Sequence, residues 1–175
     1  MKKQFLLVII LLYFFTLASA QSVKLEALLL NLPDVAFKKI ETAENFEATY
    51  ELKIRQLLNH TDSSAGYFYQ KVFLTHKGFD QPTVLVTEGY SRSENTIYEL
   101  TELVSANQII VEHRFFGESL PDSLNYTYLN LAQATADLHH IRQLFNEIYA
   151  KKWVSTGISK GGATTIFYRY YYPND

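Results

Sequence analysis

Gly157-Ile158-Ser159-Lys160-Gly161 sets a serine between two glycines in the pattern G-x-S-x-G. A serine hydroxyl becomes a nucleophile when a base takes its proton and donors await the oxyanion that its attack creates. The residues around this pentapeptide suit the second requirement. Trp153-Val154-Ser155-Thr156 reads as a short buried strand, and Lys160 to Tyr172 reads as helical until Pro173. A serine on the sharp turn between a strand and a helix stands clear of the sheet, as in a nucleophile elbow. The flanking glycines admit neighbouring backbone without a Cβ clash. The start of the helix offers backbone N–H groups and the positive end of its dipole. The N–H of Lys160 is then one expected oxyanion donor. A glycine-rich strand-to-helix turn with an incidental serine is the plainer alternative. A phosphate-binding loop is not, because G-x-x-x-x-G-K-[ST] is absent from the sequence.

The second oxyanion donor is expected from the loop after an earlier strand. Glu88-Gly89-Tyr90 is placed for that, with the N–H of Gly89 or Tyr90 as candidates. Glu112-His113-Arg114-Phe115-Phe116-Gly117-Glu118-Ser119 follows the middle strand. Charged and titratable groups beside two phenylalanines, at the C-terminal edge of a sheet, read as site wall. A solvated loop with a structural Arg–Glu pair is the competing reading. His139 and His140 lie on a long helix beside its apolar stripe, with no accompanying metal-ligand spacing, so no metal is expected there.

These residues must be positioned by strands and helices in a definite rhythm. Residues 23 to 40 read as a partly helical lead-in closed by Pro33. From Phe46 to Ile54 apolar residues alternate with polar ones, the mark of a half-buried strand. Asn59 to Gly66 is rich in turn formers, and Tyr67 to Thr75 reads as the returning antiparallel strand. Thr83 to Thr87 and Gln108 to Val111 read as short buried strands, with a helical pattern from Ser93 to Val104 between them. Asn130 opens the longest helix, with Gln133 at capping-box spacing. Leu131, Ala134, Leu138, Ile141, Phe145 and Ile148 form one stripe along it. A hairpin followed by strand–helix alternation predicts an α/β sheet, mixed at one edge and parallel within. No internal repeat, low-complexity tract or domain linker interrupts residues 21–175, which read as one domain portion.

The composition is that of a folded globular protein: 47% of the 175 residues are hydrophobic and 19% charged. The net charge of −2 argues against nucleic acid as a partner, because phosphate binding needs a surplus of Lys and Arg. With no cysteine, disulfides, thiolate nucleophiles and iron–sulfur clusters are excluded. Lys2 and Lys3, the apolar run Phe5 to Leu17, and Ala18-Ser19-Ala20 read as a signal peptide, residues 1–20. The run is shorter than the roughly 20 residues a membrane-spanning helix needs. The expectation is a secreted or periplasmic chain that meets the membrane only transiently, through its signal, and then starts at Gln21.

The run Val111 to Pro121 and the run Trp153 to Gly162 together resemble the secreted tripeptidyl aminopeptidases. H-R-[FY]-[FY]-G-E-S is also similar to the prolyl carboxypeptidase and dipeptidyl peptidase relatives, which carry a more glycine-rich elbow. The resemblance runs from about Ala43 to the last residue. It implies an α/β-hydrolase fold, a serine exopeptidase with Ser159 as nucleophile, no cofactor, and a peptide substrate with a free amino terminus. It also suggests that Glu88, Glu112 or Glu118 receives that ammonium, with His113 and Arg114 as further substrate-binding candidates.

In α/β-hydrolases the triad runs serine, acid, histidine along the chain. Here His60, His76, His113, His139 and His140 all precede Ser159. The expectation is therefore the N-terminal part of a longer enzyme, inactive by itself and truncated after the elbow helix. Two other readings compete. A secreted esterase or lipase on the same fold would cleave short esters but not peptide amides. A non-catalytic α/β-hydrolase-like binding protein would be indifferent to loss of Ser159.

Overall fold

The structure, a computed structural model, describes residues 22–175. The expected signal peptide, residues 1–20, lies outside the described residues. The fold has one six-stranded sheet: β1 (Val35–Ile40), β2 (Ala48–Leu57), β3 (Tyr67–His76), β4 (Thr83–Thr87), β5 (Asn107–Val111) and β6 (Trp153–Thr156). Their spatial order is β1-β2-β3-β5-β4-β6. The helices are α1 (22–31), α2 (Glu99–Leu103), α3 (Leu131–Asn146) and α4 (Lys160–Tyr171).

The sheet has two halves of different character. β1, β2 and β3 pair antiparallel, and β3 pairs antiparallel with β5. β4 pairs parallel with both β5 and β6. The three parallel strands β5, β4 and β6 therefore end side by side, at Val111, Thr87 and Thr156. All three loops that leave these ends carry residues singled out by sequence.

Alternation along the buried strands divides the core in two. Leu85, Ile109 and Val111 face the larger cluster with Leu52, Ile54, Leu74, Leu138, Ile141, Phe145 and Tyr149. Val84, Val86 and Ile110 face a smaller one with Phe73 and Ala106, covered by Tyr98 and Leu100. Of the predicted stripe on α3, Ala134, Leu138, Ile141, Phe145 and Ile148 are buried, whereas Leu131 at its start is exposed. Asn130 caps that helix by accepting a hydrogen bond from the Gln133 amide.

Two elements depart from expectation. The lead-in is a helix and then a strand, because Asp34 adopts φ 57° and turns the chain so that Val35 pairs with Ile54. The helix expected over 93–104 shrinks to Glu99–Leu103. Gln108 supplies the reason: its side chain accepts from the Tyr98 amide at 2.8 Å and donates to the Thr96 carbonyl at 3.0 Å. Those two groups would otherwise serve the first helical turn.

Candidate active site

Ser159 stands at the start of α4 with φ 55° and ψ −119°. That is a left-handed conformation that a non-glycine residue adopts at a cost of about 1–3 kcal/mol, and only where its surroundings enforce it. The enforcement is visible. A Cβ on Gly157 would lie 2.4 Å from the Gly161 carbonyl carbon, and one on Gly161 would lie 2.2 Å from the Thr87 carbonyl oxygen. Both glycines are needed because backbone from β4 and from the turn itself occupies the space. Thr87 then fastens the arrangement: its hydroxyl lies 2.7 Å from the Gly161 carbonyl, 3.2 Å from the Thr156 carbonyl and 2.6 Å from the Thr165 hydroxyl. Sequence reasoning treated Thr87 only as the end of a strand.

The loop after β4 crosses directly against this turn. A Cβ on Gly89 would meet Lys160 Cβ at 2.5 Å and the Gly161 nitrogen at 2.9 Å. The backbone N–H groups of Gly89, Tyr90 and Lys160 donate to no backbone carbonyl among the described residues. Three backbone donors thus remain free on two loops that touch beside Ser159.

The loop after β5 closes a third side. Its His113 amide donates to the Tyr90 carbonyl at 3.1 Å, tying it to the first loop. The His113 ring is 2.9 Å from the Arg114 carbonyl through Nδ1, and packs edge-on against Phe116. Burial, with help from the nearby Lys160 ammonium, holds this imidazole below its ordinary pKa despite the Arg114 carbonyl. His113 is therefore neutral at neutral pH.

The charged residues of these loops are engaged with the protein. Glu112 is buried, and its two oxygens accept from the Arg92 amide, the Glu118 amide and the Ser119 hydroxyl at 2.7–2.9 Å. Glu118 accepts from Lys71 at 2.5 Å and Lys53 at 2.9 Å, which hold its carboxyl down at about 2. Glu88 accepts from the Tyr98 hydroxyl at 2.8 Å and lies 3.5 Å from Arg92. Burial, reinforced by Glu88, pushes Tyr98 up to about 12. Arg114 is fully buried and pairs not with a glutamate but with Asp137 of α3, at 2.7 and 2.8 Å. Its remaining donors go to the carbonyls of Leu57, Leu58 and Tyr128. Glu112 and Arg114 thus shape the loop from within rather than standing on its surface. The signal for the Arg114 partner was Asp137 itself, an acid lying between Ala134 and Leu138 on an otherwise apolar face.

The other histidines sit apart from Ser159. His60 meets Asp137 at 2.7 Å, His76 meets the Tyr149 hydroxyl at 2.9 Å, His139 meets Asp175 at 2.7 Å, and His140 meets Gln56 at 2.8 Å. Among the described residues no group of three or more His, Cys, Asp or Glu is placed to hold a metal ion. No helix among them is long and apolar enough to cross a membrane.

Residues 18–175 match the family model of the PS-10 peptidase S37. The chain is 36% identical over 148 residues to the prolyl tri/tetrapeptidyl aminopeptidase of Streptomyces mobaraensis, covering 84% of this chain and 31% of that protein. It is 25% identical over 146 residues to the human lysosomal Pro-X carboxypeptidase, covering 63% of this chain and 29% of that one. The chain thus spans less than a third of the length of these curated relatives. In fold it is similar to acetyl xylan esterase 1 from a Thermoanaerobacterium species, with a TM-score of 0.53 at 13% identity over 82% of this chain and 51% of the esterase. At that identity the likeness is one of fold alone, an α/β-hydrolase frame.

Proposed function

The chain belongs to the PS-10 peptidase S37 family, and from that premise we propose that it carries the nucleophile of a serine exopeptidase releasing short peptides, tripeptides foremost, from free amino termini. The observation that supports this most is the strained turn at Ser159, held between Gly157, Gly161 and Thr87. In this reading Ser159 Oγ attacks the scissile carbonyl carbon and its proton passes to a general base. The carbonyl oxygen becomes an oxyanion, received by the Lys160 N–H and by that of Gly89 or Tyr90. Collapse expels the new amino terminus as leaving group and leaves an acyl-enzyme that water then hydrolyses. Acyl transfer by an activated serine needs no cofactor.

The base and its carboxylate are assigned outside these 175 residues. The described His–carboxylate pairs are His60–Asp137 and His139–Asp175, and neither includes a contact to Ser159. His113 packs in the wall and, neutral with Nδ1 at the Arg114 carbonyl, keeps Nε2 as an acceptor. Glu88, Glu112 and Glu118 each have protein partners, and as carboxylates with further acceptor capacity they remain the candidates to receive the ammonium of a bound peptide. Residues 1–20 are read as the export signal, which places the activity outside the cytoplasm.

The test uses the full-length enzyme. A fluorophosphonate probe should label it at Ser159, and the enzyme should cleave a tripeptidyl anilide with a free amino terminus. Ser159→Ala should lose both. A folded, full-length enzyme that leaves Ser159 unlabelled overturns the assignment.

A further inference from the structure

The residue after the nucleophile carries a cation with an unusual setting. Lys160 Nζ lies 4.5 Å from the centroid of the Tyr90 ring and 4.7 Å from that of Phe116. These two rings pack edge-on at 5.4 Å, so they form two walls of one cage. The stem of Lys160 runs over Gly89, where a Cβ would come within 2.7 Å of its Cγ. The ammonium is therefore carried over the loop that holds Gly89 and Tyr90. Aromatic faces attract a cation without neutralising it. No carboxylate among the described residues forms an ion pair with Lys160. The nearby acids have other partners: Glu88 has Tyr98 and Arg92, and Glu112 has two backbone amides and Ser119. The other titratable groups at the cage are Tyr90 itself and His113, which is neutral at neutral pH.

We propose that the Lys160 ammonium, caged beside the oxyanion hole, discriminates against substrates whose free α-ammonium belongs to the residue at the scissile carbonyl, and so sets the minimum length of the peptide released. This rests on the functional reading above and deepens it. The covalent geometry of the substrate makes the argument. An α-nitrogen is two bonds from its own carbonyl carbon, so it stays within about 3.6 Å of the oxygen that must enter the hole. No choice of side-chain pocket can move it away. A single amino acid would bring a second cation against Lys160 at the moment of attack. In a tripeptidyl substrate that α-nitrogen is a neutral amide, and the ammonium lies two residues further out, up to about 7 Å. Like-charge repulsion falls with that distance and with screening. The same cation attracts the developing oxyanion, so it favours attack on a longer substrate while opposing attack on the shortest.

The test compares alanyl anilide with alanyl-alanyl-alanyl anilide, which share the residue at the scissile bond, in the full-length enzyme. The quantity read is the ratio of their kcat/KM values, in which any loss common to both cancels. In the wild type the ratio should favour the tripeptide strongly at pH 7. It should fall by up to about tenfold as pH rises to 9, because the substrate amine, with a pKa near 8, goes from about one-tenth to about nine-tenths neutral. Lys160→Met should lower the ratio at pH 7 by up to about tenfold and flatten its pH dependence. Lys160→Arg, which keeps the charge, should retain both. A wild-type ratio that does not change between pH 7 and 9 overturns the inference whatever the variants do. So does a Lys160→Met ratio equal to the wild type in an active enzyme. A labelled, folded wild type that cleaves no tripeptidyl anilide overturns the functional reading, and this inference with it.

Discussion

Arg114→Met removes a fully buried cation from the loop that carries His113 and Phe116, and it should be among the most destabilising single changes in the chain. Arg114 is fully buried, and Asp137 is buried with it. Two charge-assisted bonds join them, at 2.7 and 2.8 Å. Three further donations hold the carbonyls of Leu57, Leu58 and Tyr128, on two other segments. Methionine fills much of the volume but restores none of these bonds. Asp137 would keep only the His60 ring, at 2.7 Å, as a side-chain partner. Breaking a buried pair by removing one member costs about 3–5 kcal/mol, because the remaining charge stays desolvated. The expected loss is therefore about 4 kcal/mol. Asp137→Leu should cost a similar amount, since it strands the guanidinium. The double variant Arg114→Met/Asp137→Leu should cost less than the two singles together, by about 2 kcal/mol or more, because no buried charge is then left alone. Urea denaturation of the full-length protein, with midpoints and slopes compared across the four forms, reads all of this. A loss below about 1 kcal/mol for Arg114→Met, or strict additivity of the pair, would refute the reasoning.

Gly161→Ala should misplace the elbow, because its Cβ would meet the Thr87 carbonyl oxygen at 2.2 Å, a backbone atom within the sheet. Overpacking of this kind costs about 1–3 kcal/mol, and a shift near 1 Å at a nucleophile should slow fluorophosphonate labelling by about a hundredfold; unchanged labelling would contradict the turn geometry. His76 is buried, and burial depresses its pKa from 6.5 to about 4. The unfolded chain takes up a proton near pH 6.5 and the folded one only near 4, so stability should fall as pH drops between those values, by at most about 3 kcal/mol. His76→Gln should remove that part of the slope, read as the difference between variant and wild-type urea midpoints from pH 7 to 4.

Legibility in the sequence followed the range of the interactions. Thr83–Thr87 is a strand with both ends where the apolar run has them, since five buried residues between turn formers leave little choice. The Asn130 cap was legible because its partner is three residues away. The elbow was legible because a glycine–serine–glycine turn between strand and helix is a local statement. The shortening of the helix at Ser93–Val104 was not, because its cause is the Gln108 side chain on the next strand. Nor was the partner of Arg114, which depends on α3 crossing behind the loop after β5 and bringing Asp137 within 2.7 Å. The loop charges illustrate the same limit. Composition identified Glu112, Arg114 and Glu118 as a cluster, but only the packing showed that two lie inside the loop and the third is bound to Lys53 and Lys71.

The topology explains why the chemistry gathers where it does. Ser159 holds a strained backbone, and a strained turn persists only if several independent contacts would be lost on relaxing it. Those contacts come from three parallel strands that end together. β4 contributes Thr87, whose hydroxyl reaches the Gly161 and Thr156 carbonyls. β6 leads into Gly157, whose missing Cβ leaves room for Gly161. β5 leads into His113, whose amide fastens the Tyr90 loop. An antiparallel arrangement of the same three strands would send one of these loops to the opposite edge and leave the turn free to relax. The antiparallel strands β1, β2 and β3 play a different part. They carry the lysines that bind Glu118 and, with the segment after β2, the carbonyls that receive Arg114, so they fix the wall from behind. A change in that half should therefore lower stability and loosen the loop that carries His113 and Phe116, while a change at Thr87, Gly157 or Gly161 should strike the turn at Ser159 first.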